Sequence, residues 1–574
     1  MNTRCDTRVR APVLRTLACF LAALTIAPVL RAQEPAPPKA AKVQFDSGAA
    51  AFRRGDTQRA EMAYRKAITI DPAYYDAHEA FITATERSYE LSQKADTGWD
   101  WDVDDTLKMH RRLRADSLAH RELTREYTQW SAQHPKVAAY QWALGDLQGE
   151  KPEAESYYKR AVELDPKLAR AYKWLASIAV MRGDHAGSAE YLRKAMEADT
   201  TNAGYAFDYA WKFRDGDPAK YRATALDVLR RFPADQNSAQ ILYWLGNDAE
   251  SDSAKIAIYE RARRDFPPDK FGWWSAEAMD GLYDAYIRVA PDKALALAQD
   301  MLHAATKADE QQDWAPHVLE AQNLILARSL AGEHKYAAAS AVVNATQLSR
   351  YSGNQEMFAL LKAELADSAG NTKAAYDSLR VRFAKTPSDS VQAAMGRYAA
   401  KLHKSPAQVD SAVWAIRDTA AKQATPFRLA SYSGPADSIS LADYKGKVVL
   451  LTFWFPGCGP CQGEFPHFQK VVNTFKGQPF VYVGINVTPD QDAYVRPLMQ
   501  GTHYSFIPLR GNSKFAKDAY HVWGEPSNFL IDGKGRIVFT NFRADDAEGE
   551  RMLTLMIESM LAHSSGAALT ETGR

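Results

Sequence analysis

The stretch Phe453–Phe468 reads FWFPGCGPCQGEFPHF and sets Cys458 and Cys461 apart by Gly459 and Pro460. Two thiols at this spacing can cycle between dithiol and disulfide, Cys458 attacking a partner's disulfide and Cys461 resolving the mixed disulfide. The reactive species is the thiolate. An ordinary cysteine is only about 3% thiolate at pH 7, and the partial positive charge of a helix N-terminus raises that fraction. The motif follows an apolar run that reads as a strand and opens an amphipathic run that reads as a helix, so the sequence supplies that terminus. A lone CxxC is also half of a zinc site, but no second Cys/His pair stands at a suitable spacing, and His467 and His521 are tied to it by no motif.

The elements that must position the thiols alternate from about residue 423 to 563. KVVLLTFWF is a continuous apolar run, as expected of a strand buried on both faces. FVYVGINV is a second such strand, and FRLA, SISL, SFIPLR, SNFLID and RIVFTNF are further strand candidates. Gly533-Lys534-Gly535 joins the last two as a hairpin. GEFPHFQKVVNTF, DAYVRPLMQ, SKFAKDAYHV and residues 546–562 read as helices, with Pro466 expected to bend the first and Trp454 to pack beneath the thiols.

With these features in place, residues 424–563 resemble the thioredoxin fold in its TlpA/ResA-like branch of thiol–disulfide oxidoreductases. The FWxxxCGPC pattern is carried by Phe453, Trp454, Cys458 and Cys461, the CxxCxxExP pattern by Cys461, Glu464 and Pro466, and the cis-proline position by Pro526 in VWGEPSNFLIDGKGRI. The resemblance implies that Cys458 is the exposed nucleophile and Cys461 the buried resolving thiol. It makes Glu464 the carboxylate near them, partly buried and placed to exchange a proton with Cys461 from one helical turn away. It implies a substrate face formed by Gly457, Pro460, Glu525 and Pro526, with the Glu525 backbone open to a substrate strand. Beyond the Cys458–Cys461 disulfide itself it calls for no cofactor. The sequence departs from the pattern at Thr452, where thioredoxin has an aspartate, and at Gly457, where the family often has tryptophan. The implied function is exchange or reduction of disulfides in protein partners, fed by an upstream thiol donor that is membrane-borne in one version. Both directions of electron flow are compatible with the motif. The competing readings are a repeat scaffold with an auxiliary thioredoxin-like domain, and a redoxin-type thiol peroxidase.

The rest of the 574-residue chain is helical in pattern. Gly48, Ala60, Tyr64, Ala67 and Pro72 have the offsets of a tetratricopeptide repeat, small residues letting two antiparallel helices approach around Tyr64. The pattern returns at Ala154, Tyr158, Ala161 and Pro166, then in SAEYLRKAMEADT, and more faintly at Tyr259, Ala262 and Pro267. We expect repeats over 43–205, a degenerate helical region over 206–422, a thioredoxin-like domain over 423–563 and a flexible tail over 564–574. The fold class is thus an all-α helical solenoid followed by an α/β domain. A stacked array offers a surface to a protein or peptide, or serves as a spacer. The loop GWDWDVDDT places Asp100, Asp102 and Asp104 as in a calcium loop, but Asp105 and Arg111 replace the required glycine and glutamate, so we read it as a solvated loop.

The start of the chain reads as an export signal over residues 1–32, with Arg4, Arg8, Arg10 and Arg15 ahead of TLACFLAALTIAPVL, and a Pro/Ala-rich linker over 33–42. Cys19 as a lipid-attachment site is disfavoured, because most of the apolar run follows it. The expected destination is the periplasm, with an uncleaved anchor as the alternative. Removal of the signal also removes Cys5 and Cys19 and leaves Cys458 and Cys461 as the remaining thiols. Lys and Arg number 71 against 70 Asp and Glu, and no long basic stripe is present, so nothing points to nucleic acid and no nucleic-acid partner is expected.

Overall fold

The computed structural model describes residues 36–92, 106–306, 308–348, 352–434 and 437–566. The expected signal segment, the Asp100–Asp105 loop and the tail beyond 566 lie outside the described residues. The chain divides into two compact units: one runs to Tyr209 and takes in Asp490–His503, and the other comprises Ala210–Pro489 with the segment from Tyr504 onward.

The first unit begins with the helix Lys39–Arg53, four residues inside the stretch expected as linker, followed by Thr57–Ile70. Gly55 turns the chain at φ +79, and Asp56 caps the second helix by accepting from the Arg59 N–H at 3.1 Å. Asp71 ends it in extended conformation ahead of Pro72. The residues read as repeat positions do meet. Ala60, Ala67, Ala154 and Ala161 have no exposure, and a Cβ on Gly48 would stand 2.7 Å from the Tyr64 ring. Gly145 and Tyr158 repeat that contact at 2.8 Å. His78 is wholly buried between Tyr127 and the Pro72 carbonyl. A carbonyl only accepts, so Nε2 carries the proton and Nδ1 accepts from the Tyr127 hydroxyl at 2.9 Å.

Burial lowers the pKa of His78 to about 4. The unfolded chain, near 6.5, binds the proton first, so stability is full above about pH 6.5 and falls toward pH 4, by about 3 kcal/mol in all. Urea unfolding at pH 7 and pH 4 checks this, and the difference should shrink in His78→Gln.

The helix Asp492–Thr502, from within the stretch expected as the thioredoxin-like domain, belongs to this same unit. Tyr494 is buried in the apolar cluster that holds Tyr158 and Met181. Arg182 lies over its ring at 6.0 Å, and Gln491 hydrogen-bonds Glu150. At Gly183 (φ +75) and Gly501 the two backbones touch: a Cβ on Gly501 would stand 2.9 Å from the carbonyl oxygens of Arg182 and Gly183.

In the second unit the region expected to be degenerate keeps the repeat contact. Tyr259 fills the space left by both Gly246 and Gly281, where a Cβ would come within 2.3 and 2.7 Å of its ring. The helix Pro406–Ala420 starts with a Ser405–Gln408 capping box. It anchors the sheet domain that follows. Buried Arg417 donates to the carbonyls of Phe383 and Ala384 and to the Ser559 hydroxyl, Trp414 stacks on His563 at 3.7 Å, and Arg551 grips Asp389 with two hydrogen bonds.

The sheet is six-stranded, in the order β1 (Lys422–Gln423), β8 (Arg536–Thr540), β7 (Ser527–Ile531), β4 (Val448–Trp454), β5 (Phe480–Asn486), β6 (Ile507–Arg510). The strands β2 (Arg428–Ala430) and β3 (Ser438–Ser440) form a separate antiparallel pair. β4 is buried at every position, as its unbroken apolar sequence requires, and runs parallel to β5 and antiparallel to β7. Val449, Leu451 and Phe453 pack on the face that carries Ala516 and Tyr520. The alternate residues Leu450, Thr452 and Trp454 take the other face, where Trp454 meets Phe465 edge-on. The β7–β8 hairpin closes at the glycines expected for it, with Gly535 at φ +79.

Candidate redox site

Cys458 is the N-cap of the helix Gly459–Thr474, and the Cys461 N–H points at its sulfur from 3.2 Å. That is one of the unpaired N–H groups that favour negative charge at a helix start. Pro460 sits in the first turn, where a missing N–H costs nothing, and the helix continues through Pro466. The loop before it is pinned by Cys458 N–H to the Phe455 carbonyl at 3.0 Å and by the Gln462 side chain to the Pro456 carbonyl at 3.0 Å. Cys458 and Cys461 are joined as a disulfide, with Cα atoms 5.2 Å apart.

The expected exposed nucleophile is corrected. Cys458 is 3% exposed and Cys461 0%, while Gly457, Gly459 and Pro460 are the exposed residues of the turn. In the oxidised pair each sulfur is turned to the other, and the surface is left to the turn. Of the two sulfur-bearing residues, Cys458 keeps the small exposure that remains.

The Glu525–Pro526 peptide is cis. Ser527 opens β7 opposite Phe453 of β4, and the two strands run antiparallel. Residues 521–526 therefore leave the sheet at the edge where β4 leads into Cys458. Pro526 is buried and Glu525 half-buried, its carboxyl pushed up by burial. Trp523 is 59% exposed, with the Lys517 ammonium 4.8 Å above its ring. The sequence reading passed over this tryptophan, although it stands three positions before the proline in the quoted VWGEP.

Glu464 is not partly buried but wholly buried. Its three hydrogen bonds come from Asn528 Nδ2 at 2.9 Å to Oε2, and from Arg543 Nε at 2.9 Å and the Ala544 N–H at 3.0 Å to Oε1. Among the described residues none joins it to a cysteine. Burial raises its pKa, opposed by Arg543, Asn528 and the Ala544 N–H in that order. Thr452 and Asn528 are cross-strand partners, and the Thr452 hydroxyl donates to Asn528 Oδ1 at 2.9 Å. The residue noted as a departure thus supports the carboxylate through Asn528. Asn528 and Arg543 were missed. A polar residue on a buried strand, as in SNFLID, was the available signal. His467 pairs with Glu550, on the last helix.

Residues 420–540 match the AhpC/TSA family, and residues 41–74 match the tetratricopeptide repeat. The thioredoxin-like protein YneN of Bacillus subtilis is 33% identical over 118 residues, which are 20% of this chain and 67% of that protein. The chain belongs to the thioredoxin-like proteins. This thioredoxin-like chain is also 36% identical over 100 residues to the thiol–disulfide oxidoreductase ResA of Bacillus subtilis, covering 17% of its own length. It spans 55% of that relative. The solved thioredoxin domain of a thiol–disulfide oxidoreductase from Bacteroides vulgatus is 28% identical, with 24% of the thioredoxin-like chain and 94% of that domain covered at a TM-score of 0.21.

Proposed function

We propose that the protein is an exported thiol–disulfide oxidoreductase that reduces or exchanges disulfides of protein partners. The observation that carries this reading is the Cys458–Cys461 disulfide at a helix N-terminus beside the edge where residues 521–526 emerge. In the reducing direction the Cys458 thiolate attacks one sulfur of the partner's disulfide. A Cys458–partner S–S bond forms, the partner's S–S bond breaks, and the second partner sulfur leaves as a thiolate. Cys461 gives up its proton and attacks Cys458, which releases the other partner sulfur. The partner gains two electrons and the dithiol becomes the disulfide. Glu464, one turn from Cys461, is the group we assign to accept the Cys461 proton. A separate thiol donor must then reduce the disulfide. The resemblance to ResA supports the reading, and the repeats are proposed to orient the partner. Insulin reduction with a dithiol regenerant tests it: turbidity should develop faster than with regenerant alone, and an equal rate would overturn it.

Exposed Trp523, three residues before Pro526, is the side chain we assign to the aromatic contact that Gly457 does not supply. Loss of one exposed anchor of this kind costs about 1–2 kcal/mol of binding. Trp523→Ala should therefore raise KM for a protein disulfide about 5- to 30-fold and leave the rate with a small aromatic disulfide unchanged. Steady-state kinetics with the two substrates checks this.

A further inference from the structure

The carboxylate assigned to the Cys461 proton is held by a residue that the thiol motif does not contain. Every hydrogen bond found for Glu464 is donated to it, from Asn528, Arg543 and Ala544. None of these three groups offers an acceptor to the O–H of a protonated carboxyl, and all three bonds are stronger to the charged form, so the cradle favours the anion. Only one of the three donors carries a charge. The Asn528 amide is itself oriented by the Thr452 hydroxyl and makes a second bond to the Phe542 carbonyl at 3.2 Å. The Ala544 N–H is fixed in the backbone. Arg543 alone supplies countercharge, and its side chain is 38% exposed while that of Glu464 is 1% exposed. It is the route by which a buried anion is coupled to the surface.

We infer that Arg543 is a positioning residue that keeps Glu464 ionised and ready to take the proton of Cys461. The inference rests on the proposed oxidoreductase reading. The other titratable groups around Glu464 do not substitute for Arg543. Asp545, two residues on, and Tyr482 on β5 repel or leave unpaired the same charge. On its own helix, His467 and Lys470 are engaged by Glu550 of the last helix, and Cys458 and Cys461 are the thiols served. With Arg543 gone, a buried carboxylate without countercharge takes up a proton at higher pH. A protonated Glu464 cannot accept the Cys461 proton, so resolution slows at low and neutral pH and recovers as pH rises.

The experiment follows resolution itself in the full chain. The reduced protein is mixed with an excess of an aromatic disulfide that releases a coloured thiolate. The first release reports attack by Cys458 and the second reports attack by Cys461 on the mixed disulfide. In Arg543→Gln the acidic limb of the second-phase rate should move up by about one pH unit or more, and Arg543→Lys, which keeps the charge, should restore it toward wild type. A purely structural role would lower the rate equally at all pH values, and a limb that stays in place overturns the inference. The double variant Glu464→Gln/Arg543→Gln leaves no buried charge unpaired, so it tests the same coupling where the single variant folds poorly. It should match Glu464→Gln alone, and a further slowing would show that Arg543 acts other than through Glu464. Absence of any second release in wild type would instead defeat the oxidoreductase reading.

Discussion

Cys458→Ser will lower the protein-dependent part of the initial rate of insulin reduction by at least about a thousand-fold, leaving the rate of the regenerant alone. A serine hydroxyl is not ionised at neutral pH, and the helix N-terminus that favours a thiolate gives it no comparable help. The first S–S bond then cannot form. Cys461→Ser should fail differently. Cys458 remains the N-cap and still attacks, but nothing resolves the product, so the variant should accumulate a covalent mixed disulfide. Non-reducing gels of the two variants, incubated with a disulfide-bonded protein, separate the roles: adduct with Cys461→Ser and none with Cys458→Ser. Equal adduct in both would overturn the assignment of nucleophile and resolving thiol.

The second large effect is on stability. Gly501→Val would place a Cβ 2.9 Å from the carbonyl oxygens of Arg182 and Gly183 and 3.0 Å from the Gly183 carbonyl carbon. These are backbone atoms, which cannot rotate aside as a side chain can. The expected cost is at the upper end of overpacking, about 3 kcal/mol, read as a lower urea midpoint and faster hydrogen exchange across Asp492–Thr502. Gly396 supplies the contrast. It is exposed within the helix Asp389–Lys401, and a Cβ there meets nothing within 4 Å. Gly396→Ala should stabilise by about 0.5–1 kcal/mol, because alanine loses less backbone freedom on entering a helix.

These residues also show what could be read from the chain and what could not. The thiols, Glu464 and Pro526 stand in short motifs, and the strands and helices of the sheet domain follow from the period of their apolar residues. Periodicity tells which side of an element is buried but not what covers it. Asp492–Thr502 has its amphipathic face with Tyr494, Val495 and Leu498 buried, yet Tyr494 packs in the cluster of the repeat unit. For the same reason the partners of Glu464 escaped notice. Asn528 and Arg543 lie 64 and 79 positions away and meet it only through strand register and the segment after β8. The repeat contact beyond residue 206 was underestimated because Gly246, Gly281 and Tyr259 come from three helices. The exposure assigned to Cys458 failed because a motif names the reacting atom without fixing the surface around it.

The glycine contact at 183 and 501 also bears on the order in which the molecule can be completed. Chains fold from the N-terminus as they are made, at about 5–20 residues per second. The repeats up to Tyr209 emerge first, but their core includes Tyr494. Synthesis of the intervening 210–489 delays that residue by on the order of tens of seconds. Through that interval the nascent repeats hold an unfilled seat around Met181–Gly183, open to chaperones or to neighbouring chains. The segment Asp490–His503 therefore finishes the repeat unit, and a ribosome stalled before residue 490 would display a repeat unit more prone to association than the one in the finished protein.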